Sequence, residues 1–129
     1  MTKSVVQSFP KTYDYSKVKD VLDISDVYTP VAQLETGVRE VGTYEFKISM
    51  TYKLNLANKS VFYRWRVNGG NWNELIAEPK DKTDSTAVVY YYPYEHTGGK
   101  FKVEVEMKKE DTNGQLDVYF HDLIFERKS

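Results

Sequence analysis

Along most of this chain, apolar residues recur at every second position. From Val41 to Leu56, "VGTYEFKISMTYKLNL", the large apolar residues are Tyr44, Phe46, Ile48, Met50, Tyr52 and Leu54. Glu45, Lys47, Ser49, Thr51 and Lys53 alternate with them. Successive strand residues point to opposite faces, so this run predicts a half-buried strand. Its length predicts a bend or bulge inside it. In "SVFYRWRV" (Ser60–Val67), Val61, Tyr63, Trp65 and Val67 share one face, and Phe62, Arg64 and Arg66 the other. Asn68-Gly69 predicts a tight hairpin turn, with the chain returning through "WNELIA". "TAVVYYYPY" reads as a further strand, closed by Pro93. Phe101, Val103, Val105 and Met107 alternate with Lys102, Glu104, Glu106 and Lys108. "DTNG" (Asp111–Gly114) predicts a turn, and "QLDVYFHDLIFERK" the last strand. Its alternation slips near Asp122-Leu123, as a bulge would make it do.

The N-terminal third is less regular. Residues 1–18 carry no helical period and one short apolar patch, Val5–Val6, with Pro10 discouraging regular structure. They read as an extended arm or, equally, a frayed terminus. In the stretch ending "VAQLETG", short apolar pieces are broken by Asp and Pro. A helix over Ser16–Leu22 competes there with a β reading that agrees better with the alternating strands downstream. Glu78–Ser85 is polar and reads as a surface loop. About eight strands separated by turn residues predict one antiparallel β-sandwich or barrel over residues 19–129. The pattern alone does not choose between an immunoglobulin-like sandwich and a jelly roll.

Composition narrows the function classes. The 129 residues fit one domain with a real core. Eighteen basic residues nearly cancel nineteen acidic ones, which argues against bulk attraction to nucleic acid or to anionic lipid. The absence of cysteine excludes disulfides and thiolate chemistry and leans toward a reducing compartment. The opening "MTKSVVQSFPKTYDYS" has no signal-peptide-like apolar run, and no window reaches the ~20 apolar residues that span a bilayer. Folding in a cytoplasm is the expectation.

Candidate chemistry is sparse. The histidines are His96, in a turn, and His121, whose neighbour Asp122 should face the other way along a strand. Neither suggests a catalytic pair, and the chain has no nucleophile elbow, zinc helix or phosphate loop. Asp20, Asp23 and Asp26, and Asp81 with Asp84, read as turn formers and solvated charges; "DTNG" matches only the opening of a calcium loop. No catalytic residue, metal or cofactor is expected. The most unusual run is "YYYPYEH" (Tyr90–His96). Tyr90 and Tyr92 share a face and Tyr91 takes the other, so a tyrosine is left outside whichever face is core. That suits a protein interface, a sugar-stacking platform, or plain cross-strand pairing. Phe62, Arg64 and Arg66 make a similar case, since arginine with aromatics typifies binding hot spots.

"GTYEF" (Gly42–Phe46) opening a long alternating strand resembles the G-x-Y-x-F signature of tumour-necrosis-factor-like and complement-type jelly rolls. "VNGG" (Val67–Gly70) resembles the next hairpin of that superfamily. "HTGGKFKVEVEM" (His96–Met107) and "LDVYFHDLIFER" resemble its later core strands. The likeness runs from about Val41 to the C-terminus. Without signal peptide, stalk or cysteine, the chain looks more like small bacteriophage virion proteins than like secreted animal members. The resemblance implies jelly-roll topology, a homotrimer, and a structural role in a virion assembled in the host cytoplasm. That role would be a capsid decoration or cement protein on a major capsid protein, or a small tail or fibre-attachment protein. The expected interface residues are Val5, Val6 and Phe9 of the arm, with Phe62, Arg64, Arg66, Tyr91 and Tyr94. The alternative is a carbohydrate-binding, lectin-like receptor-binding module, in which exposed tyrosines line a groove. Neither nucleic acid nor membrane is an expected partner.

Overall fold

The computed structural model describes residues 13–16, 20–56, 59–77 and 85–129, with backbone alone at Tyr13, Tyr15, Ser16, Phe120 and His121. Nine strands succeed one another: β1 (Tyr13–Ser16), β2 (Val21–Ile24), β3 (Thr29–Arg39), β4 (Gly42–Leu54), β5 (Val61–Val67), β6 (Asn73–Ala77), β7 (Thr86–His96), β8 (Gly99–Lys109) and β9 (Leu116–Arg127). They form two antiparallel sheets. One has the order β1-β9-β4-β7, with β2 also on β9; the other has the order β3-β8-β5-β6. The result is an all-β sandwich with jelly-roll-like crossovers between sheets, as expected.

The alternating residues fill its centre. Tyr44, Phe46, Ile48, Met50, Tyr52 and Leu54 of β4 are all buried. They meet Phe101, Val103, Val105 and Met107 of β8 from the facing sheet. Phe125 lies between Tyr44 and Phe101, its ring 4.5 Å from one and 3.7 Å from the other, nearly parallel to both. The alternating run of β4 is therefore core, not a ligand site.

Two sequence expectations need correction. The bend expected inside β4 lies in its partner. β4 pairs β7 without interruption from Gly42↔His96 to Tyr52↔Thr86. Against β9 the register shifts between Ser49 and Met50, which oppose Asp122 and Phe120, leaving His121 as the extra residue. That bulge produces the slip near Asp122-Leu123. Pro93 does not close its strand either: it pairs with Glu45, and β7 continues to His96. β7 is a sheet edge, where a residue without an N–H donor removes no ladder bond on the open side.

The other turns behave as their sequences suggest. Asn68 and Gly69 both have positive φ, and the Gly70 N–H donates to the Val67 carbonyl at 2.9 Å, as in a type I′ turn. In "DTNG" the Asp111 carboxylate accepts the Asn113 N–H at 3.0 Å and lies 3.5 Å from Lys59. It is thus a turn former. The hydrogen bond from Asn113 holds its carboxyl below the usual aspartate range.

Of the segment read as arm, Tyr13–Ser16 lies along β9, with Tyr13 opposite Glu126 and Ser16 opposite Leu123. Asp14 accepts two hydrogen bonds from Arg39 of β3, at 2.9 and 2.5 Å, which pins this edge of one sheet to the other. Val5, Val6 and Phe9 lie outside the described residues, as do positions 78–84 of the expected loop.

Gly42 has a specific steric task. A Cβ there would stand 2.8 Å from the Ser129 carbonyl oxygen and 2.9 Å from Arg127 Nε. The chain end runs past Gly42 and is bound to Thr43: Thr43 N–H donates to Ser129 O at 3.1 Å, and Lys128 N–H donates to Thr43 O at 2.7 Å.

Candidate functional site

The outward face of the β3-β8-β5-β6 sheet is the most organised surface among the described residues. Register sets its layout. Arg64 lies opposite Glu106 of β8 and Glu74 of β6; Arg66 lies opposite Glu104. Both arginines reach across the ladder. Arg64 donates to one Glu106 oxygen through Nε at 3.0 Å and Nη2 at 2.6 Å. Arg66 Nε donates to Glu104 at 2.9 Å. The Arg66 hydrogen bond is the main cause that holds the Glu104 carboxyl below the usual glutamate range.

Aromatic rings from outside the strands complete this face. The Arg64 guanidinium lies 4.0 Å from the Tyr28 ring centre and 4.1 Å from that of Trp72. Arg66 lies 4.4 Å from Trp72. The Lys108 ammonium is 4.8 Å from Tyr28 and 5.4 Å from Phe62. Cations are attracted to the negative face of a ring. The Tyr28 hydroxyl donates to Glu74. Burial, then that hydrogen bond, pushes the Tyr28 phenol above its ordinary range. Beside this lattice, Phe62 lies opposite Ile76, which is half exposed. Arg64, Arg66, Glu74, Glu104 and Glu106 already have partners, so the face offers preset donors, acceptors and an apolar flank.

The expected site residues separate into groups. Phe62, Arg64 and Arg66 do come together here. Tyr91 lies on the opposite side of the sandwich, 58 % exposed on the outward face of β7. Tyr94 points inward, its ring 5.2 Å from Phe101 and 5.9 Å from His96, and packs against the core rather than on an outward patch. Tyr28 and Trp72 were missed by sequence reasoning. Tyr28 precedes β3 and Trp72 precedes β6, so neither belongs to an alternating run. The one available signal was that Trp72 closes the Asn-Gly hairpin and must return beside β5.

Inside the sandwich, Tyr63 and Tyr92 share a hydrogen bond between their hydroxyls, and Tyr90 stacks on Tyr63 at 4.6 Å. Burial pushes both the Tyr63 and Tyr92 phenols above their ordinary range. His96 is 2 % exposed and boxed by Tyr44, Tyr94, Phe101 and Phe125; its Nε2 lies 3.0 Å from the Gly99 carbonyl oxygen. That is a buried, packed position. Among the described residues, no group of three or more His, Asp or Glu side chains is placed to hold a metal ion.

Comparison with known proteins returns the fold. No family model matches the chain, and no curated protein matches it. Among solved structures, a chain of infectious bursal disease virus, Gx strain, superposes with a TM-score of 0.58 at 9 % identity, over 98 % of this chain and 35 % of that one. A family GH115 4-O-methyl-α-glucuronidase with specificity for decorated arabinogalactans gives 0.52 at 10 % identity, over 100 % of this chain and 19 % of that one. The CBM36-1 domain of a multidomain xylanase, from the hindgut metagenome of Trinervitermes trinervoides, gives 0.50 at 14 % identity, over 93 % and 99 %. This chain thus spans about a third of the viral chain and a fifth of the glucuronidase. Viral and carbohydrate-associated sandwiches share the architecture, and such a fold hosts many functions.

Proposed function

We propose that the chain is a structural protein of a bacteriophage particle, acting by binding rather than catalysis. Within that reading it decorates and stabilises the head, or serves as a small tail or fibre adaptor, and works as a homotrimer. The observation that carries the reading is the outward face of β5, β6 and β8. Its two arginine–glutamate pairs, Trp72, Tyr28 and Phe62 have the composition of protein-binding hot spots. Its groups are already fixed by one another, so little side-chain freedom remains to be lost on docking. The Tyr28 and Trp72 rings carry cations over their faces, which favours a protein partner over a sugar at this surface. The likeness to a chain of infectious bursal disease virus supports the architecture for this role.

The test is to mix the purified chain with candidate phage heads and tails and to image where it sits. Regular added density on the particle supports the reading, and Trp72→Ala should reduce occupancy at least tenfold. Light scattering that gives three chains per particle supports the trimer. A chain that stays unbound on every particle tested, with Trp72→Ala behaving like the parent, overturns the reading.

A further inference from the structure

The opposite sheet carries a second, different site. On its outward face Glu45, Lys47, Tyr91, Ile124, Glu126 and Lys128 line a groove of about 350 Å³. That volume is at the small end of natural ligand pockets. Three neighbouring strands build the groove. Tyr91 of β7, Lys47 of β4 and Ile124 of β9 stand in one cross-strand row. Glu45 and Glu126 stand opposite each other in the next row. β1 continues the sheet beyond β9, with Tyr15 opposite Ile124 in register.

The electrostatics of the groove are nearly closed. Like charges opposite each other on adjacent strands repel. Here the Lys128 ammonium lies 3.1 Å from Glu126 and 3.6 Å from Glu45 and offsets both. Lys47 faces Asp122 at 4.0 Å. Among the described residues the lining holds two carboxylates, Glu45 and Glu126, and two ammonium groups, Lys47 and Lys128, which balance in charge. It still offers acceptors and donors within a few ångströms of each other.

Tyr91 supplies the apolar element. Unlike Tyr28 and Trp72, it carries no stacked ring and no cation over its face among the described residues. A ligand that uses all of this is uncharged, has many hydroxyls along its edge, and presents a flat C–H surface to a ring. A pyranose unit of a neutral glycan has that form. Its C–H hydrogens meet the negative face of the Tyr91 ring, and its hydroxyls divide between the carboxylates and the ammonium groups.

We propose that this groove binds a short segment of neutral glycan, stacked on Tyr91 and hydrogen-bonded by Glu45, Glu126 and Lys128. The proposal does not depend on the virion role, because the two faces lie on opposite sides of the sandwich.

The test is a glycan array of neutral and acidic oligosaccharides probed with the full chain, followed by NMR titration of the best hit. The expected result is a neutral hit that shifts signals of Tyr91 and of strands β4 and β9. Tyr91→Ala should weaken it about tenfold or more, a loss of about 1.4 kcal/mol. Tyr91→Phe keeps the ring face and should bind within about threefold of the parent. Tyr91 is a surface residue, so both variants should fold, which circular dichroism checks. An array with no hit, hits confined to acidic glycans, or a neutral hit that survives Tyr91→Ala would overturn the proposal. A protein partner lost on Tyr91→Ala, with the array silent, would make this face a second protein interface instead.

Discussion

Replacing Gly42 with alanine tests how the end of the chain is held. The backbone at Gly42 has no positive φ, so alanine is not excluded by conformation. The obstacle is space. The new methyl would sit 2.8 Å from the Ser129 carbonyl oxygen, a main-chain atom that moves only if the chain end moves. Moving it loosens the bonds that Thr43 makes to Ser129 and Lys128. Overpacking of this kind costs about 1–3 kcal/mol. Alanine also restricts the unfolded chain, which offsets about 0.4–1 kcal/mol. The net expectation is a loss of about 1–2 kcal/mol, or a melting temperature lower by about 4–8 °C for a domain of this size. Urea unfolding followed by circular dichroism reads the first quantity and a thermal scan the second. The decisive control removes Lys128 and Ser129. Of the three atoms nearest the methyl, that background leaves the two of the flexible Arg127 side chain, and Gly42→Ala should become neutral or slightly stabilising. An equal loss in both backgrounds, or none in the full chain, would refute the steric argument.

Three further outcomes are expected. Phe125→Ala should cost about 3–5 kcal/mol, because Phe125 is fully buried between Tyr44 and Phe101; a drop in melting temperature below about 8 °C would contradict that packing. Tyr28, Tyr63 and Tyr92 have phenols raised by burial, so in the folded state they keep their protons where an unfolded tyrosine, near pH 10, has lost them. The stability they contribute is complete below about pH 10 and falls as pH rises further; a denaturation midpoint that stayed flat from pH 9 to 12 would be inconsistent with this. Glu104 is lowered by Arg66, so its share of stability is present above the ordinary glutamate pKa and fades as pH falls through the lower folded value. Arg66→Met should move the Glu104 titration, read by carboxyl NMR, back toward about 4.3, and an unmoved titration would show that the pair does not form in solution.

Much of the sandwich could be read from the sequence because alternation is a local signal. The inward set of β4, the faces of β5 and β8, and the Asn68-Gly69 turn all depend on neighbours within a few residues. Pro93 misled because its effect depends on whether β7 is central or an edge, which is a property of the sheet. Likewise, no local pattern shows that β9 lies between β1 and β4. The binding faces were half legible. Arg64, Arg66 and Tyr91 announce themselves as outward side chains in amphipathic strands. Their partners do not, since Glu104 and Glu106 meet the arginines through register. Tyr28 and Trp72 arrive from connections that carry no period. Glu126 and Lys128 join Glu45 and Tyr91 only after the one-residue bulge at His121 has set which face each side chain takes.

The position of β9 bears on how the protein comes to be made. Leu116–Arg127 leaves the ribosome after the eight other described strands, yet β1, β2 and β4 all pair with it. Until it emerges, β4 presents one long unpaired edge, with Tyr44 to Leu54 uncovered by β9 on that side. The sheet β3-β8-β5-β6 can close 18 residues earlier, once Lys109 rather than Arg127 has emerged. Assembly of the two sheets is therefore ordered by synthesis. A chain lacking Leu116–Arg127 would lose the strand that joins β1 and β2 to β4, along with the Tyr91 groove's wall at Ile124 and Glu126.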